Sequence, residues 1–144
     1  MNTKIKTLLL GSLALLGLAS CTKLEPKLLK ADGEWDIVRR AVITTVNDTL
    51  QSNTVETDNL GYLAFEDDYE GVQYDYKGDT VTWFTWSIDE DLEKLRFTTP
   101  HLGFEVIYDV LELSKGKMEL HGLHTDITPT TVTEEDITMS LERR

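Results

Sequence analysis

From residue 34 to the end of the chain, apolar and polar residues alternate with a period of two. Phe104, Val106, Tyr108 and Val110 are interleaved with Glu105, Ile107 and Asp109. Leu95 and Phe97 are set among Lys94, Arg96 and Thr98, and Ile137, Met139 and Leu141 among Thr138, Ser140 and Glu142. Successive side chains of a strand point to opposite faces, so each run gives a strand one apolar side and one wet side. No stretch after residue 33 sustains a helical stripe. Turn-forming clusters fall between the runs at Asn47-Asp48, Asp58-Asn59, Asp67-Asp68, Lys77-Gly78-Asp79, Asp89-Glu90-Asp91, Pro100-His101 and Ser114-Lys115-Gly116. The pattern predicts strands over 34–46, 50–56, 60–66, 71–77, 80–88, 93–99, 103–113, 116–123 and 134–143. Eight or nine short strands joined by short turns form an antiparallel up-and-down meander, and closure into a small barrel would remove its exposed edges. The alternative all-β arrangement is an immunoglobulin-like β-sandwich, with Greek-key crossings in place of neighbour-to-neighbour pairing.

The N-terminus follows different rules. Lys4 and Lys6 precede an apolar run, Leu8 to Leu18, which ends in Ala19-Ser20-Cys21. As helix, that run would rise about 16 Å, well short of the ~30 Å hydrocarbon core. Basic, then apolar, then small is the layout of a secretory signal peptide. Leu18-Ala19-Ser20-Cys21 resembles a bacterial lipobox, where a prolipoprotein is cleaved and its new N-terminal cysteine is lipidated. Cys21 is the single cysteine of the chain. The expected organisation is a removed signal peptide at 1–20, a lipidated tether at 21–31 and one β-barrel domain at 32–144. Several acyl chains, at about 0.8 kcal/mol per buried methylene, would tie the mature protein to a membrane. Loss of residues 1–20 removes two lysines, so the net charge of −12 becomes −14 over 124 residues. Such a surface repels phosphate backbones and argues against nucleic acid as a partner.

The first predicted strand opens Gly33-Glu34-Trp35, after Leu28-Leu29 and Asp32. This resembles the G-x-W opening of lipocalins, and the layout as a whole is similar to the small lipocalin-like lipoproteins of Bacteroidetes-type bacteria. The resemblance implies a lipocalin-like barrel whose tryptophan packs under an arginine of the last strand, here Arg143. Arg143 shares parity with Ile137, Met139 and Leu141, and the face of Trp35 would offer it a cation–π partner. The resemblance also implies a binding role in the cell envelope. The expected location is the outer membrane, with the periplasmic face favoured over the cell surface.

Aromatic residues supply the candidate ligand site. Tyr74 and Tyr76 share a strand face with Val72, Trp83 and Trp86 sit on opposite faces of the next strand, and Tyr108 lies on a later one. These five residues are the candidate lining of a pocket for a small apolar ligand, with the Tyr108 hydroxyl able to orient it. A filled barrel interior is the competing reading, with the outer aromatics meeting an envelope protein partner. His121-Gly122-Leu123-His124 is a poor metal motif, because residues three apart on a strand face opposite sides. The acidic turns lack the ligand spacing of a calcium loop. The chain has no G-x-S-x-G and no glycine-rich phosphate loop. The sequence therefore predicts a non-enzymatic protein with neither metal nor cofactor.

Overall fold

The computed structural model describes residues 23–99 and 103–144, with the side chain of Phe104 left aside. Cys21, the predicted signal peptide, the start of the tether, and Pro100 and His101 lie outside the described residues. A short helix, α1 (Leu24–Leu28), and a 3-10 turn (Ala31–Gly33) lead into nine strands. These are β1 (Glu34–Val46), β2 (Thr49–Glu56), β3 (Tyr62–Phe65), β4 (Glu70–Tyr74), β5 (Thr80–Asp89), β6 (Lys94–Thr99), β7 (Phe104–Leu113), β8 (Lys117–Ile127) and β9 (Val132–Arg143).

All pairings are antiparallel, and from β3 to β9 each strand pairs with its neighbours in sequence. β1 closes the sheet by pairing along β9, from Trp35 opposite Arg143 to Val46 opposite Thr133. On its other side β1 has two partners. Glu34 to Asp36 pair with β3, and Arg40 to Val46 pair with β2. Eight strands therefore form the closed barrel, and β2 is a ninth strand hydrogen-bonded to β1 alone. Closure through β1 and β9 with neighbour-to-neighbour order excludes the Greek-key sandwich.

The inward residues follow from register. Trp35, Leu63, Phe65, Phe84, Trp86, Leu95, Val106, Tyr108, Leu120, Ile137, Met139 and Leu141 form one buried cluster. Bulges interrupt the alternation. Between Ile37 and Arg39 the pairing of β1 with β9 slips, so Val38 is the extra residue. Beyond it Arg40 lies opposite Met139 and Val42 opposite Ile137, on the core-facing side. A second slip between Val110 and Glu112 makes the exposed Leu111 the extra residue and brings Leu113 opposite the buried Met118.

The turns 66–69, 90–93 and 114–116 gather at one end of the barrel with α1 and the C-terminus. Residues 24–28, expected as part of a tether, are a turn of helix that plugs this end with Leu24 and Leu28. The Glu90 carboxylate accepts from the Leu24 and Glu25 N–H groups at 2.6 and 3.0 Å, holding the start of α1. Gly33 has φ +68°, and a Cβ there would lie 2.0 Å from the Phe65 carbonyl oxygen, so only glycine fits this approach to the barrel.

Candidate functional site

At the closed end the Trp35 ring is fully buried, and its Nε1 donates to the Leu28 carbonyl at 3.0 Å. The Arg143 guanidinium lies 3.9 Å from the ring centroid of Trp35. It also donates to the carbonyls of Lys27, Leu28, Lys30 and Lys115. Carbonyls of the plugging segment and of the β7–β8 turn thus converge on one cation. The next residue, Arg144, takes the outer face of the sheet. It stacks 3.8 Å from the Tyr62 centroid and pairs with Asp36 at 3.6 Å.

Among the described residues, the other end is open. Inside it lies a cavity of about 210 Å³. Its wall is apolar, from Ile37, Leu60, Leu63, Phe84, Phe97, Val106, Ile137 and Met139. Its polar groups come from Arg40, Gln73, Thr82, Thr99, Tyr108 and Glu135. Phe84 and Phe97 stack at 4.9 Å, and Phe97 meets Tyr108 at 5.2 Å, so a continuous aromatic surface runs up one side. Gly122 backs the Tyr108 ring, since a Cβ there would come within 2.6 Å of it. Burial pushes the Tyr108 phenol up to about 12, with the Arg40 charge pulling it down and Glu135 raising it. A larger recess of about 470 Å³ lies on the outer wall between Ser87, Asp89, Leu92, Lys94 and Ile107. Its charged, exposed walls offer an apolar ligand little, and the barrel cavity is the better site.

Of the five aromatic residues predicted to line a pocket, Tyr108 alone does so. Trp83 stands on the outer face opposite Val72 and is 55% exposed. It cannot share the interior with Trp86, because the two differ in strand parity. Trp86 is inside but lies toward the plugged end. Its Nε1 donates to the Glu70 carbonyl at 2.9 Å and its ring packs edge-on to Phe65 at 5.7 Å, below the cavity. Tyr74 faces outward with Val72 and stacks on Tyr62 at 4.6 Å. Tyr76 is not in a strand. The Asp75 carboxylate accepts from the N–H groups of Lys77 and Asp79, ending β4 in a tight turn that leaves Tyr76 exposed.

Sequence reasoning missed Phe84, Phe97, Arg40, Gln73 and Glu135. Parity with Trp86 would have found Phe84, and cross-strand pairing with Trp86 would have found Phe97. Arg40 had no such signal, because the Val38 bulge sets its direction. His121 lies on the outer wall with Nε2 3.0 Å from Asp136, whereas His124 pairs with Glu135 on the other face. Among the described residues, no group of three or more His, Cys, Asp or Glu is placed to hold a metal ion.

Among solved structures, the chain is similar to a deswapped triple mutant of bovine odorant binding protein. Identity is 16%, the match covers 78% of this chain and 72% of that one, and the TM-score is 0.43. No protein-family model matches the chain, and neither does any curated protein.

Proposed function

We propose that this protein is a lipocalin-like lipoprotein of the bacterial envelope that binds a small apolar ligand and catalyses no reaction. The observation that carries this reading is the cavity at the open end: a closed barrel, plugged at one end, with apolar walls and a few polar groups at the other. Displacement of an environment-sensitive apolar dye tests it. Small apolar compounds should displace the dye from the folded protein, and failure of a broad panel to do so overturns the reading.

The membrane anchor rests on the residues around Cys21. Acylation is tested by intact-mass measurement of the protein recovered from a Gram-negative envelope. The expected result is a chain beginning at Cys21 with added acyl mass, absent from Cys21→Ser. We place the lipidated protein in the outer membrane, with the periplasmic side favoured.

A specific observation favours a second reading, an accessory module that meets an envelope protein through its outer wall. Trp83, Val81 and Tyr76 are each more than half exposed at the same end of β5 and its preceding turn. Lone surface hydrophobics need no explanation, but a tryptophan grouped with two neighbours is a candidate contact. Under this reading Trp83→Ser abolishes co-purification of a partner and leaves dye binding unchanged.

A further inference from the structure

The polar groups of the cavity lining restrict the chemical class of the ligand, on the premise that the cavity binds a ligand as proposed above. Register sets their order along the wall. Tyr108 lies level with Gly122 and Ile137. Arg40 lies opposite Met139, one inward position nearer the plug, and Glu135 lies opposite Thr44, one inward position nearer the mouth. Arg40 also has Glu56 as its partner across β2, and Glu135 has His124 across β8. Within the described lining one guanidinium, Arg40, and one carboxylate, Glu135, therefore bracket the Tyr108 level from either side, and no ion pair joins the two among the described residues. Gln73, on the opposite wall, offers an amide that both donates and accepts.

A carboxylate entering this cavity would meet Arg40 but also Glu135. An ammonium would meet Glu135 but also Arg40. Either ion would lose its water against walls of Leu63, Phe84, Phe97 and Ile137, a loss that a mouth of mixed sign does not offset. A neutral head with both donor and acceptor can use every group present. Tyr108 keeps its proton throughout the physiological range and so stays available as a donor. The volume, about 210 Å³, lies below the ~300–1,000 Å³ of pockets for drug-sized molecules, and suits a ligand of about ten non-hydrogen atoms. We infer that the cavity selects a short apolar molecule with an uncharged head that donates and accepts hydrogen bonds, such as a primary amide, over acids and amines of equal length.

Isothermal titration of octanamide, octanoate and octylamine into the chain from Cys21 to Arg144, which contains the whole described fold, tests this at pH 7.5. Octanamide is expected to bind at least about tenfold tighter than either ion. Tyr108→Phe should weaken octanamide about three- to tenfold, the loss of one hydrogen bond, with an unchanged circular dichroism spectrum as the folding control. Glu135→Gln, which removes the lining carboxylate that opposes Arg40, should narrow the gap between octanamide and octanoate. Octanoate or octylamine binding the unmodified protein as tightly as octanamide overturns the inference and leaves the ligand-binding reading standing. Binding of none of the three overturns the inference, and the dye-displacement panel then decides the ligand-binding reading separately.

Discussion

Arg143 joins two parts of the closed end that are far apart in sequence, the segment from α1 to Trp35 and the β7–β8 turn. Its guanidinium covers Trp35 and collects carbonyls from the α1 segment and from the β7–β8 turn. Arg143→Ala would leave these carbonyls short of a donor and uncover the indole face. The expected loss is about 2 kcal/mol of unfolding free energy, read by urea denaturation. Arg143→Lys should recover only part of it, because an ammonium cannot both lie flat on the ring and donate in several in-plane directions. Tyr108 gives a pH signature. Its folded phenol titrates at about 12 against about 10 unfolded, so the folded state prefers the protonated form. Its contribution is complete below pH 10 and is lost as pH rises from 10 to 12, because the unfolded chain gives up the proton first. Stability should therefore fall across that window by about 2–3 kcal/mol more than in Tyr108→Phe.

Among the elements, α1 and β2 differ most in how they are held. α1 buries Leu24 and Leu28 and has its first N–H groups bound by Glu90, while β2 is exposed at every position. Glu90→Ala should speed hydrogen exchange at the Leu24 and Glu25 amides and leave the β8–β9 amides unchanged. In the unmodified protein, β2 amides should exchange well before those of β9, which has a strand on each side. The alternation of Ile137, Met139 and Leu141 made β9 and its inward face legible in the sequence, and parity alone put Arg143 on the side where its guanidinium lies. The same rule failed on β1. Strict alternation from Trp35 and Ile37 turns Arg39 inward, but the extra residue at Val38 reverses the count and brings in Arg40. A bulge depends on how two strands meet, and neither strand announces it alone. The cavity was misassigned for a related reason. Aromatic content marked Tyr74, Tyr76 and Trp83, but whether such a residue points in or out depends on parity relative to the core, and for Tyr76 on where the Asp75 turn ends the strand.

For the whole molecule, plug and mouth occupy opposite ends, and this sets where a ligand can enter. The plug carries the chain toward Cys21, so an anchored protein would present its mouth away from the membrane surface. Gly122→Ala tests the interior as a unit. Its methyl would collide with the Tyr108 ring and push it into the cavity. Dye affinity should then drop at least about tenfold while the fold persists at a cost of about 1–3 kcal/mol. Residue-resolved NMR on titration with octanamide locates the ligand most directly. Saturable shifts are expected at residues that line the cavity, among them Ile37, Leu63, Val106, Tyr108 and Ile137, with the indole signals of Trp35 at the plug and Trp83 on the outer wall unmoved. Shifts centred on Trp83 and the outer face of β5, or no saturable shift inside the barrel, would contradict binding in the cavity.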